Sequence, residues 1–192
     1  MSPAQRLVVA TRNGHKVREL SRLLPGVELE GLPNDVELPE ETGDSFAANA
    51  LLKARAAATA TGRVAIADDS GIEAEALEGR PGIYSARFAG LQANDAENLA
   101  KLRAEAAPGS GLRYVCAIAH VTPEGEEHVF HGECRGTLSP EPRGEGGFGY
   151  DPVFVPELGA GTSTMAEISD AEKDAISHRG AAARALLAWL RG

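Results

Sequence analysis

Short runs of apolar residues alternate along the chain with stretches whose apolar positions recur at helical spacing, a pattern that predicts an α/β protein. Arg6-Leu-Val-Val-Ala10 reads as a buried strand ending in the turn-forming cluster Thr11-Arg12-Asn13-Gly14. Val17, Leu20, Leu23 and Leu24 then fall on one helical face until Pro25-Gly26 stops them, which puts Lys16 at a helix start. Asp44 is suited to cap a second helix over 45–61, alanine-rich, closed by Gly62 and carrying Lys53. Val64-Ala-Ile-Ala67 reads as a second buried strand running into Asp68-Asp69-Ser70-Gly71, so two acids are expected where a strand meets a loop.

Further along, 94–106 reads as an amphipathic helix with Leu99 and Leu102 on one face and Pro108-Gly109 as its stop. The β-rich runs 112–122 and 127–138, separated by Pro123-Glu124-Gly125, predict a hairpin, expected to form a sheet element of its own. A glycine-rich loop, Gly144-Glu-Gly-Gly-Phe-Gly-Tyr-Asp151, precedes a strand at Val153-Phe-Val155, and its glycines permit close backbone approach to a ligand. Ser169-Asp-Ala-Glu172 has capping-box spacing and places Lys173 early in a short helix. A last helix carries Ala182, Ala185, Leu186, Trp189 and Leu190 on a face expected to pack inward. No repeat and no long linker interrupts this order, so 1–192 reads as one domain.

Composition bounds the function. A chain of 192 residues with 43% apolar and 24% charged residues can bury roughly 70% of its unfolded surface, which excludes a disordered segment or a disulfide-held miniature scaffold. Its formal charge of -9 repels a polyphosphate backbone at long range and argues against nucleic acid as a partner. No 18 apolar residues run together and Met1 to Arg6 opens no secretory leader, so no membrane partner is expected and a cytoplasmic location is. That compartment favours free thiols at Cys116 and Cys134, although neighbouring strands would allow a bond.

With so acidic a chain, an anionic ligand has to be held by a few placed cations, and there are four lysines: Lys16, Lys53, Lys101 and Lys173. Three of them fall beside glycine turns, acid clusters or helix starts, a distribution that suggests phosphate. Thr11-Arg12-Asn13-Gly14-His15-Lys16 offers a hydroxyl, an amide, a helix N-terminus and an ammonium within six residues, without the spacing of a P-loop. Glu40, Glu41, Asp68 and Asp69 form two acidic pairs, and one carboxylate from each segment would suit Mg²⁺, which prefers carboxylates combined with substrate phosphates. Solvated charge and loop capping are the plainer reading of Glu40 and Glu41. Phe148 could stack on a base or cover a core edge, and His178 and Arg179 could donate into a pocket or lie on a helix surface. Donors facing a purine 6-position would favour a keto oxygen and disfavour adenine.

Taken together, Thr11-x-Asn13-x-x-Lys16, Asp68-Asp-Ser-Gly71, Pro81-Gly-Ile-Tyr-Ser-Ala-Arg87, Gly146-Gly-Phe-Gly-Tyr-Asp-Pro152 and Ser177-His-Arg179 closely resemble the inosine triphosphate pyrophosphatase family, in order and over nearly the whole chain. The resemblance implies an elongated two-lobed α/β fold around a long central mixed sheet, with an active cleft between the lobes, in a single pyrophosphatase domain spanning 1–192. It also implies a homodimer that hydrolyses ITP, dITP and XTP to the monophosphate and pyrophosphate with Mg²⁺, cleansing the nucleotide pool. Position by position, Thr11, Arg12, Asn13, Gly14, His15, Lys16 and Lys53 resemble the phosphate-binding residues, with Lys16 and Lys53 also serving catalysis. Asp69 resembles the metal-binding acid and general base, and Ser70 a substrate contact. Phe148, Gly149, Tyr150 and Asp151 look like the base-binding loop, with Lys173, His178 and Arg179 as the remaining nucleotide contacts and Arg179 as the keto-oxygen donor. Glu41 is favoured over Glu40 as the second metal carboxylate, and Asp68 could hold the metal through water or act as a structural acceptor. The rival readings are a Maf-type nucleotide pyrophosphatase and a nucleotide-binding module without turnover.

Overall fold

The computed structural model describes residues 6–159 and 161–192. Strand β1 (Arg6–Val9) leads into helix α1 (Gly14–Leu23), then β2 (Glu28–Gly31), α2 (Phe46–Thr61) and β3 (Ala65–Ala74). A 3-10 segment at Gly82–Arg87 and α3 (Asp95–Glu105) precede the long strands β4 (Gly111–Val121) and β5 (Glu127–Leu138). A 3-10 turn at Asp151–Val153, β6 (Phe154–Pro156), α4 (Asp170–Ile176) and α5 (His178–Arg191) complete the order.

The strands form one open sheet in the order β2-β1-β3-β4-β5-β6. β1 lies parallel to both β2 and β3, pairing Val8 with Glu30 on one side and with Ala65 on the other, whereas β5 and β6 are antiparallel. The sheet is therefore mixed. The hairpin of β4 and β5 is not a separate element as expected but the continuation of that sheet, because β4 neighbours β3 and so leaves no free edge there.

The chain divides into two units. The first takes the chain up to Asp69 with Cys116–Gly132 and Ala182–Gly192. Its strands alternate. Leu7, Val9, Ile66, Cys116 and Ile118 pack with Leu20, Leu23 and Leu24 of the α1 region and with Ala182, Ala183 and Leu186 of α5. The intervening Val8, Ala10, Ala65, Ala67 and Ala119 pack with Ala50, Ala54, Ala57 and Ala58 of α2. This is the two-residue period of a strand buried on both faces. The alanines let α2 approach its strands closely, and each large side chain buried on the other face contributes about 1.5–3 kcal/mol. The second unit, Ser70–Val115 with Glu133–Ala181, has its own core in which Ile72, Leu102, Leu112, Tyr114, Leu138, Tyr150, Val153, Phe154 and Met165 meet.

Local differences from the sequence reading have physical causes. Ser45, not Asp44, caps α2, its side chain accepting from the Ala48 N–H, and Gly62 closes the helix in a left-handed conformation. β3 does not stop before Asp68 but runs through Asp68, Asp69 and Ser70, because lysines neutralise the acids without leaving the ladder. β2 falls on Glu-Leu-Glu-Gly, an edge strand too polar and short to be signalled. On α5, Ala183 rather than Ala185 is buried and Trp189 stays 40% exposed, its ring lying against His120, His128 and Phe130. Both cysteines are buried free thiols, and burial pushes Cys134 up to about 11.

Candidate active site

In the first unit, three elements bring charge to one place. Asn13 caps α1 by accepting from the His15 and Lys16 N–H groups, and its own N–H donates to Thr11 Oγ1. From the first turn of α1, Lys16 Nζ reaches Asp68 Oδ2 at 3.2 Å. On α2, Asn49 and Lys53 are four residues apart and share a face. Lys53 Nζ donates to Glu41 Oε1 at 2.6 Å and to the Asp68 carbonyl at 2.9 Å, and stands 3.7 Å from Asp69 Oδ1. Asn49 Nδ2 donates to Asp69 Oδ2 at 3.1 Å, while Asn49 Oδ1 accepts from the Gly43 N–H. A Cβ on Gly43 would come within 2.7 Å of Asn49 Oδ1, so the loop carrying Glu41 is closed tightly on α2.

Lys53, Asp68 and Asp69 are all buried. Burial pushes the Asp69 carboxyl up and Glu41 adds to the rise, while Lys53, Lys16 and Asn49 pull it back. Burial would lower Lys53, but Asp69, Asp68 and Glu41 outweigh it and hold the ammonium protonated. Three carboxylates thus face two ammoniums, and the residual negative charge suits a hard cation. Asp69 and Glu41, both beside Lys53, would supply its protein oxygens. Among the described residues no three His, Cys, Asp or Glu side chains gather as a metal cage.

The second unit gathers the aromatic and basic candidates around Asp151. Its Oδ2 accepts from Lys173 Nζ at 2.7 Å and from the Phe148 N–H at 2.9 Å, and its Oδ1 accepts from Tyr114 Oη at 3.1 Å. Gly147, at φ 69°, leaves no space for a side chain, since a Cβ there would overlap Asp151 Oδ2. The half-exposed Phe148 ring has Lys173 Nζ 5.2 Å and the Arg179 guanidinium 5.8 Å from its centroid. Arg179, only 1% exposed, donates to Ser70 Oγ at 2.8 Å. His178 stacks on Tyr114 with centroids 4.5 Å apart. The loop is tied down by the Gly149 N–H on Asp95 and by Tyr150 Oη on the Ser85 carbonyl at 2.7 Å.

The expected residues therefore fall into two groups. Lys16, Lys53, Glu41 and Asp69 converge in the first unit, with Asp68 between the two lysines. Glu40 is exposed. Arg12 is committed elsewhere, its guanidinium donating to the carbonyls of Leu32, Pro33 and Val36, and His15 Nδ1 lies 3.0 Å from Arg18. In the second unit Phe148, Asp151, Lys173, His178, Arg179 and Ser70 form one connected set, whereas the hydroxyl of Tyr150 serves the loop's anchorage. Sequence reasoning missed Asn49 and Tyr114. Asn49 was detectable as a polar residue four positions before Lys53 on an alanine helix, but nothing local marks Tyr114.

Comparison with known proteins places the chain among relatives. The Ham1 family model matches residues 7–189. A dITP/XTP pyrophosphatase of Frankia alni is 50% identical over 199 residues, covering 97% of each chain. One of Mycobacterium tuberculosis is 49% identical over 202 residues, covering 100% of this chain and 98% of its own. Among solved structures, a HAM1 protein from Coxiella burnetii superposes with a TM-score of 0.85 at 39% identity, covering 97% of this chain and 98% of its own. The nucleoside-triphosphatase / dITP/XTP pyrophosphatase of Mycobacterium abscessus matches with a TM-score of 0.71 at 47% identity, covering 97% and 99%. As its five motifs implied, the chain belongs to the Ham1 family.

Proposed function

We propose that this protein hydrolyses dITP, ITP and XTP to the corresponding monophosphate and pyrophosphate. The observation that carries the reading is the convergence of Lys16, Lys53, Asp69 and Glu41, a cationic and anionic cluster of the composition a triphosphate and a divalent ion require, in a chain so similar to dITP/XTP pyrophosphatases. Lys16 and Lys53, with the N–H groups at the start of α1, bind and neutralise phosphate oxygens. Asp69 and Glu41 would hold Mg²⁺, which would supply electrophilic activation of the phosphate chain when bound. Asp69 also orients water and takes its proton as the water oxygen bonds to the α-phosphorus. The bond from that phosphorus to the bridging oxygen breaks and pyrophosphate leaves with its electron pair.

Phe148 stacks on the purine, while Lys173, His178 and Arg179 supply donors. Donors at the 6-position accept a keto oxygen and leave the amino group of adenine facing like polarity, which is how the site excludes ATP. Residues 1–192 act as one functional domain, working as a cytoplasmic homodimer; the motif resemblance supports that assignment. No described helix is long and apolar enough to cross a membrane.

The test is pyrophosphate release from dITP, ITP, XTP, GTP and ATP, each with Mg²⁺ and with EDTA. Release from the first three that needs Mg²⁺, with ATP slower by orders of magnitude, is expected. Equal rates on ATP would refute base selection, and a folded protein inert on all five would refute the activity.

A further inference from the structure

Tyr114 belongs to none of the motifs that carry the resemblance, yet two of its contacts, with Asp151 and His178, reach the base-reading group. It lies on β4 and is 6% exposed. One ring contact is the near-parallel stack on His178, with an interplanar angle of 9°; another is Phe154, with centroids 4.4 Å apart. Its hydroxyl donates to Asp151 Oδ1, on the same carboxylate whose other oxygen takes Lys173 Nζ and the Phe148 N–H. Asp151 is 3% exposed, so those donors replace solvent around it.

We propose that Tyr114 is a positioning residue for purine recognition, its hydroxyl setting the orientation of Asp151 and its ring seating His178. This rests on the functional reading above. A carboxylate held at one oxygen alone can pivot about its Cβ–Cγ bond. Fixed at both, it presents Oδ2 at one angle, and the Phe148 backbone and the Lys173 ammonium take their places from it. Phe148 and Lys173 are the stacking face and its neighbouring cation. The same ring holds the imidazole of His178 flat, so a single side chain registers the loop before β6 against the first residue of α5. A loop of this glycine content has little other means of fixing a stacking ring, since Gly144, Gly147 and Gly149 all adopt positive φ.

Remote base contacts are made alike in the ground and transition states, so their loosening raises KM and leaves kcat. Tyr114→Phe removes the hydroxyl and keeps the stack; Tyr114→Leu removes both. In Tyr114→Phe, KM for ITP is expected to rise about 3- to 10-fold with kcat within about twofold. In Tyr114→Leu, the preference for ITP over ATP is expected to fall as well. An independent readout is amide hydrogen exchange at Phe148, whose N–H donates to Asp151, and faster exchange there in Tyr114→Phe, with α2 and β1 unchanged, is the expected result. Unaltered KM and unaltered Phe148 exchange in a variant of wild-type melting temperature would overturn the role of Tyr114. A wild-type protein without turnover would overturn the functional reading instead, leaving the exchange result to decide the positioning of Asp151.

Discussion

At the scale of single residues, Asp69 and Lys53 have opposite demands placed on them by the same buried site. In the proposed role Asp69 has to be ionised to bind a cation and accept a proton, yet burial and Glu41 raise its pKa, and Lys53, Lys16 and Asn49 offset that rise only in part. Asp69→Asn keeps the shape and the Asn49 contact region while removing the charge, so kcat is expected to fall about 10²–10⁴-fold with a melting temperature close to wild type. Steady-state pyrophosphate release together with a thermal melt checks it, and near-normal turnover would remove Asp69 from the chemistry. Lys53→Met behaves differently. It leaves Glu41, Asp68 and Asp69 near one another with Lys16 still paired to Asp68, and breaking buried ion pairs by removing one member costs about 3–5 kcal/mol. Loss of activity in Lys53→Met should therefore come with a clear drop in urea midpoint, which the Asp69 variant should not show.

At the scale of elements, capped helices and glycine stops were legible because their signals are local. Asn94 and Ser169 each form a capping box with the glutamate three residues on, and both helices begin at the next residue. What was not legible depended on contacts distant in sequence. Asp68-Asp69-Ser70-Gly71 reads as a turn by itself, yet these residues lie within β3, where Lys16 and Lys53 from two other elements stand beside the acids and Asn49 donates to Asp69. Trp189 looked like a core residue by helical spacing, but two histidines and Phe130 supply its neighbours at the surface. The candidate site divides similarly: Lys16, Lys53, Asp69 and the 144–151 loop carried recognisable motifs, while Tyr114 acts through a residue 37 positions away. The glycine loop yields its own prediction. Gly147→Ala demands a positive φ of an L-residue and drives a Cβ into Asp151 Oδ2, so the loop must deform. KM for ITP should rise at least about tenfold, while Gly161→Ala, also at positive φ but with open space around it, costs only backbone strain of about 1 kcal/mol. Comparable KM values in the two variants would show that the approach of Gly147 to Asp151 does not matter to substrate binding.

At the scale of the whole molecule, the acidity that argues against nucleic acid as a partner is compatible with a polyphosphate ligand because the attraction is confined to a few buried ammoniums, which solvent screens weakly. Global stability is set by other groups. His120 on β4 is 4% exposed, its Nδ1 has no hydrogen-bond partner, and it lies edge-on to Trp189 beside His128. Burial lowers its pKa from 6.5 and the neighbouring His128 lowers it further, with Glu126 opposing. The unfolded chain therefore binds a proton at His120 at a higher pH than the native protein does. With the unfolded state holding more protons, stability rises with pH through that interval; equivalently, it is lost as pH falls from about 6.5 towards the depressed native value. His120→Leu, close in volume and without a titrating group, removes this contribution, so its stability should depend less steeply on pH than wild type between pH 7.5 and 5.5. Urea midpoints followed by far-ultraviolet circular dichroism give the comparison free of the local effect of His120 on the fluorescence of Trp189, the only tryptophan in the chain. Parallel slopes for the two proteins would mean that the histidine enters the native core at no cost in protonation, and the acid sensitivity of the fold would have to originate in its carboxylates.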